Sequence, residues 1–331
     1  MRLRSLVDAW NRFFFEPQSP LPICLFRIFY GCMVVATLIL LRPDWLDWYG
    51  GHAWVSLQTM HQLEPGTRLN LLAVIPQSDG AINTLFWFFL ASAVMLAFGF
   101  LTRLNNIFVF LCLTSIQQRN LYMLHGGDTF LRVAGFFLIF APAGAALSID
   151  RLIRIRRGKE SAEIQPRSPW AQRMIQFELA LMYFITFWWK TNGVNWVNGT
   201  AVYYIIHLDE VQRFPIPILF QNPVVVKLAT WLGLAVEFSL GVLIWFKEIR
   251  YVILLLGLLF HLSLEYWLNV PLFQWDILSA YVLFVDPRDL ERVWGWIRLH
   301  VSKQFGRVGQ RSQEERLPHG NFGKQQIVNK P

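Results

Sequence analysis

Long apolar runs, separated by shorter stretches that hold most of the charge, dominate this chain. A run of about 20 apolar residues is what the hydrocarbon core of a bilayer demands of a helix. The pattern predicts spans near 21–41, 83–101, 105–118, 129–147, 173–189, 224–246, 250–268 and 275–286. The third and the eighth are short for a full crossing. The expected fold class is all-α: a polytopic transmembrane helical bundle of about eight spans with aromatic-rich outer loops. No internal repeat is evident, so the pattern adds nothing to a repeat-built transporter.

The flanks read differently. Residues 2–16 carry Leu3, Leu6, Trp10, Phe13 and Phe14 at roughly helical spacing with Arg2, Arg4 and Arg12. Residues 1–20 are therefore expected to lie in the membrane surface. Residues 288–300, with Trp294 and Trp296 among basic residues, read as a second interfacial helix, and 301–331 as a disordered basic tail. A secretory signal peptide is not expected, because the first apolar run starts near Leu21, is too long, and lacks a small-residue cleavage site.

Composition supports the bilayer. The 331 residues are 54% hydrophobic and 16% charged, against about 25% charged in soluble domains. The net charge of +8 could suggest nucleic acid, but the basic residues sit between apolar runs, so no nucleic-acid partner is expected. With the N-terminus placed in the cytoplasm, twenty-two of the thirty Lys and Arg residues fall on inner segments and six on outer ones. The bias toward the inner segments is strong in sum and predicts an inner (cytoplasmic) membrane protein with both termini cytoplasmic. Cys24, Cys32 and Cys112 all lie inside apolar runs and imply no disulfide framework.

Ionisable residues at membrane depth are costly, so each is a candidate for function. On the expected topology His125, Asp128, Arg132, Lys190, His261, Glu265 and Asp276 gather toward the outer end. Lys190, beside Trp188 and Trp189, reads either as a desolvated base or as an interfacial anchor. Asp128 and Arg132, four apart, read as an ion pair. His261 and Glu265 share a helix face, so the carboxylate could orient the imidazole, the two could bind a substrate, or they could pair between helices. Arg27, Glu178 and Glu237 read as buried partners of one another or of backbone carbonyls. No H-x-x-x-H or H-E-x-x-H pair occurs, and no metal is expected.

Ordered motifs then become informative. They are Gln118-Arg119-Asn120, Gly127-Asp128-Thr129-Phe130-Leu131-Arg132, Phe140-Ala141-Pro142, Ser148-Ile149-Asp150, Gln176-Phe177-Glu178-Leu179-Ala180 and Tyr183. Lys190, Trp196-Val197-Asn198-Gly199, Tyr203-Tyr204, His261, Pro271-Leu272-Phe273 and Phe284-Val285-Asp286-Pro287 follow. In order and spacing this series resembles the HTTM domain family, bacterial membrane relatives of vitamin K-dependent gamma-glutamyl carboxylase. The resemblance covers residues 21–287 as an HTTM-like transmembrane domain. It implies Lys190 as the base acting on a reduced naphthoquinone (vitamin K hydroquinone) in the presence of oxygen, with His261 and His125 supporting the reaction. Glu265, Trp189, Trp196, Asp128 and Arg132 are the accompanying candidates for binding the quinone or substrate. This chain has a single lysine where the family often has two, and it stops soon after the last span. Carboxylation of propeptide-bearing proteins is therefore not expected, although a peptide or protein substrate remains among the implied partners beside the lipid bilayer and a quinone. Two other classes stand beside this enzyme: a non-enzymatic membrane protein for maturation, export or immunity of a secreted peptide, and a transporter.

Overall fold

The computed structural model describes residues 2–63, 69–121 and 124–297. Arg68, the end of the 288–300 segment and the 301–331 tail fall outside the described residues. Among the described residues the chain is helical and contains no strand; two isolated bridges join Gln18 to Arg167 and Gln212 to Leu268. In chain order the helices are α1 (Arg2–Phe15), α2 (Leu21–Leu41), α3 (Trp45–Tyr49), α4 (Leu57–Leu63), α5 (Asp79–Phe98), α6 (Thr102–Arg119) and α7 (Gly126–Phe140). They continue with α8 (Ile149–Arg156), α9 (Trp170–Thr191), α10 (Val194–Val197), α11 (Ala201–Ile206), α12 (Pro223–Val242), α13 (Arg250–Trp267) and α14 (Phe273–Ser279). Residues 288–297, a unit of their own, are helical.

Every expected span falls on a helix, but not every helix is a full span. Leu21–Leu41, Asp79–Phe98, Pro223–Trp245 and Arg250–Trp267 are long and apolar enough to cross a membrane. The remaining four expected spans fall on α6, α7, α9 and α14, which are shorter or more polar. The eighth is the clearest case. The α14 helix runs straight into a 3-10 turn at Ala280–Phe284, and the two together rise only about 20 Å, against roughly 30 Å of hydrocarbon. The α6 helix owes its polarity to its position between α5 and α7. Asn105, Asn106, Thr114, Ser115, Gln117 and Arg119 are all buried, and Asn106 donates to the Gly135 carbonyl of α7 at 3.2 Å.

The helices are joined by side chains that satisfy helix ends, as burial away from water requires. Arg27, fully buried in α2, donates to the carbonyls of Ala97, Ala143 and Leu147. It thereby ties the end of α5 to the connection after α7. Asp150 accepts from the backbone N–H groups of Leu101 and Thr102, each at 2.8 Å, and so starts α6. Ser148 caps α8. On the opposite end of the bundle α3 is held by Trp45, which is fully buried and donates to the Ile82 carbonyl. The α1 helix lays Phe13 and Phe14 against Phe177 and leaves Leu6, Val7 and Trp10 exposed.

Two glycines test how closely these helices pack. A Cβ at Gly31 of α2 would lie 2.8 Å from Ala97 of α5, against its backbone nitrogen as well as its side chain. A Cβ at Gly80 would meet nothing. Gly31→Val should therefore force α2 and α5 apart at a cost of about 1–3 kcal/mol. Gly80→Ala should be neutral or slightly stabilising, since alanine is the better helix former. Thermal unfolding of both variants in detergent checks the contrast; an unchanged melting point for Gly31→Val would contradict this packing.

Candidate functional site

The site begins where α9 stops. Thr191 and Asn192 both return hydrogen bonds to the Trp188 carbonyl, ending the helix. Gly193 then turns the chain into α10. This short helix sets Trp196 over the last turn of α9, with the Lys190 ammonium 4.5 Å from the indole centroid. Trp188 and Trp189 point the other way; Trp189 is 72% exposed. Lys190 itself turns inward and pairs with the carboxylate of Glu237 on α12. Glu237 is buried, with its second oxygen unpartnered. One turn further along this interface, a Cβ at Gly241 would lie 3.0–3.1 Å from Phe184 backbone atoms. The absence of a side chain at Gly241 therefore lets α12 approach α9 closely enough for the pair to form.

Beside the pair lies a cavity of about 640 Å³. Its walls come from α9, α11, α12, α13 and α14, and they are mainly aliphatic and aromatic. Two polar places interrupt them. One is the Lys190–Glu237 pair. The other is a chain of hydrogen bonds centred on His261 of α13, which is only 2% exposed. His261 Nε2 lies 2.5 Å from the Tyr183 hydroxyl, and Nδ1 lies 2.5 Å from Gln274 Oε1. Tyr183 in turn meets the Tyr281 hydroxyl at 2.9 Å. Leu232, Leu256 and Leu259 of α12 and α13 line the cavity and are exposed.

The structure brings three of the sequence candidates, Lys190, His261 and Trp196, onto this one cavity. His125 stands behind the wall: its ring meets Phe273 edge-on at 5.5 Å, and both Phe273 and Gly126 line the cavity. Its Nδ1 accepts from the N–H groups of Gly127 and Asp128, while Asp128 accepts from the His125 N–H, so the two form the cap of α7. Asp128 therefore pairs with His125 rather than with Arg132 as the four-residue spacing suggested. Arg132 keeps one buried guanidinium nitrogen without a partner. Glu265 does not reach His261 or the cavity. It pairs with Arg213 at 2.5 Å and fastens the loop after α11 to the end of α13. Trp189 is likewise away from the cavity.

Glu237, read from the sequence as a buried partner of Arg27, Glu178 or a backbone carbonyl, instead pairs with Lys190; Tyr183, named only among the motifs, and Gln274 and Tyr281, which were not among the candidates, complete the site. A lone acid in one apolar span and a lone lysine in another were the available signal for Glu237. Gln274 and Tyr281 offered none, since either residue type is common at the end of a helix. Among the described residues no group of three or more His, Cys, Asp or Glu side chains comes together as a metal site would require.

Fold and site together define a multi-pass helical membrane protein with an apolar cavity carrying a desolvated ion pair. The profile of the HTTM domain matches residues 15–288, and the chain belongs to that family. Comparison with curated proteins and with solved structures gave no match.

The ion pair makes a prediction about stability. Removing one partner leaves a buried charge uncompensated, whereas removing both leaves apolar packing. Lys190→Met, which leaves the buried Glu237 carboxylate alone, should therefore cost on the order of 3 kcal/mol, and adding Glu237→Leu should recover most of that loss. Thermal or denaturant unfolding of the two single variants and the double variant measures the coupling; additive costs would contradict a desolvated pair.

Proposed function

We propose that this protein binds an apolar, membrane-borne ring compound in the cavity and removes a proton from it through the Lys190–Glu237 pair. The observation that carries the reading is a lysine–carboxylate pair facing a large apolar cavity whose wall includes exposed leucines of α12 and α13. The compound is of the reduced naphthoquinone class, as the resemblance to the vitamin K-dependent carboxylase implies. The residues present suit such a group. The volume lies within the roughly 300–1,000 Å³ usual for small-molecule sites, and Trp196, Phe260 and Phe273 offer aromatic surfaces. A quinol of this class supplies an acidic ring hydroxyl and, once deprotonated, reactivity toward oxygen.

The chain's own part is proton handling. Lys190 donates to Glu237 Oε1, so the amine becomes a base when the shared proton passes to the carboxylate. That transfer leaves a neutral amine facing the cavity and a neutral acid behind it, a state that exclusion of water favours over separated charges. Trp196 covers the amine and limits its hydration. Both nitrogens of His261 are engaged within the protein, so His261 acts on the ligand through its neighbours rather than by direct contact. His125 holds the start of α7, the turn that places Gly126 in the cavity wall. In the cell the cavity lies toward the outer face of the inner membrane, as the charge bias predicts.

The test is epoxide formation from reduced vitamin K and oxygen by purified protein. A positioned general base contributes about 10²–10⁴-fold, so Lys190→Ala should lower turnover by at least the smaller factor. Glu237→Gln should do the same, because a carboxamide cannot take up the proton. Equal turnover in either variant removes the pair from the mechanism; a wild-type protein that neither binds nor oxidises the quinol removes the reading.

A further inference from the structure

Hydrogen-bond accounting around His261 goes one step further. Neutral imidazole carries one donor and one acceptor. Gln274 presents Oε1, an acceptor, to Nδ1, so Nδ1 bears the proton and Nε2 is the acceptor. Tyr183 must then donate to Nε2 and accept from Tyr281. The direction of the whole chain is fixed: Tyr281 to Tyr183, Tyr183 to His261, His261 to Gln274. Every member is buried and satisfied except at the last atom. Gln274 is fully buried, lines the cavity, and its Nε2 has no protein partner. A buried donor left in that state is costly, and here it sits at the cavity wall. At the other polar place Glu237 also keeps one oxygen unpartnered. The cavity therefore offers a donor at one point and a proton acceptor at another, on otherwise apolar walls.

We propose that Gln274 is the donor that recognises an oxygen acceptor on the cavity's ligand, and that Tyr281, Tyr183 and His261 are positioning residues that hold the carboxamide with its nitrogen toward that oxygen. The ligand class is an apolar ring bearing two oxygen substituents, one held by Gln274 and one facing Lys190 and Glu237. This assignment rests on the cavity being the binding site for an oxygenated ring. The opposite carboxamide orientation has a distinct signature: it reverses the chain, moves the histidine proton to Nε2 and presents an acceptor to the ligand.

The experiment uses the full chain in detergent with a monomethyl naphthoquinone, whose two carbonyls are inequivalent, labelled with heavy carbon at one or the other carbonyl. Infrared difference spectra read each carbonyl separately. In wild-type protein the band of the carbonyl held by Gln274 should shift to lower frequency. Gln274→Met should abolish the shift and weaken binding about tenfold. Tyr183→Phe should also reduce the shift with the quinone still bound, because His261 loses its donor; this variant serves if Gln274→Met does not fold. Trp189→Ala should change nothing. Nitrogen NMR of His261 in wild-type protein should show the proton on Nδ1. Bound quinone with unshifted bands, a shift that survives Gln274→Met, or a proton on Nε2 each overturns the Gln274 assignment while leaving the cavity reading intact. Failure of the wild-type protein to bind the naphthoquinone in either its oxidised or its reduced form overturns both.

Discussion

The site depends on one interaction, the desolvated pair between Lys190 and Glu237. A lysine and a glutamate withdrawn from water cost several kcal/mol each unless they meet, and they can meet only if α9 and α12 approach closely. Gly241 permits that approach. Once the two helices are set, the break after α9 has one direction to go, and α10 brings Trp196 over the ammonium. The same helices then form two walls of the cavity, with α13 and α14 closing the rest. Packing and chemistry are therefore not separate here: the contact that pairs the buried Glu237 with the half-buried Lys190 also turns both toward the cavity.

How much of this could be read from the sequence depends on the range of the interaction. Helix positions were legible because hydrophobicity is a local property, and each apolar run became a helix. The number of crossings was less so. The run at 275–286 is apolar enough to be buried but too short to cross, and hydropathy does not distinguish a helix buried among its neighbours from one that faces lipid. Lys190 and His261 stood out because an ionisable group in an apolar helix needs a reason. Their partners did not, because pairing between helices leaves no spacing to read. Where spacing did suggest a pair it misled. Glu265 lies one turn from His261, yet Arg213 arrives from a loop far along the chain and takes the carboxylate. Asp128 lies one turn from Arg132, yet the helix end itself claims it.

The motifs behind the family resemblance have a physical meaning that bears on what they can imply. Ser148 and Asp150 cap two different helices. The backbone around Phe140-Ala141-Pro142 supplies carbonyls near those that Arg27 gathers. Gly127 and Asp128 belong to the start of α7, where a Cβ on the glycine would lie 2.8 Å from the Asp276 carboxylate. These positions are set by helix ends and close approaches, so they report architecture. The residues proposed to carry the chemistry are Tyr183, Lys190 and His261, which belong to the series, together with Glu237 and Gln274, which lie outside it. A chain could keep every capping motif and change its ligand by altering only these.

The outer wall gives the last constraint. Leu232, Leu256 and Leu259 line the cavity and remain exposed, so on this stretch of α12 and α13 the site is bounded by side chains that no other element covers. Leucine side chains change rotamer readily, whereas the backbone of a membrane helix cannot open without exposing unpaired polar groups. Passage between α12 and α13 is therefore the route that disturbs the fold least. Gly233, lining the cavity on α12 and within ordinary contact distance of Phe260 on α13, lightens the same wall. A site reached through lipid receives its ligand already stripped of water. That favours an apolar ring over a charged solute, and it suits the proton transfer proposed for the Lys190–Glu237 pair, because such a ligand would bring little water to it.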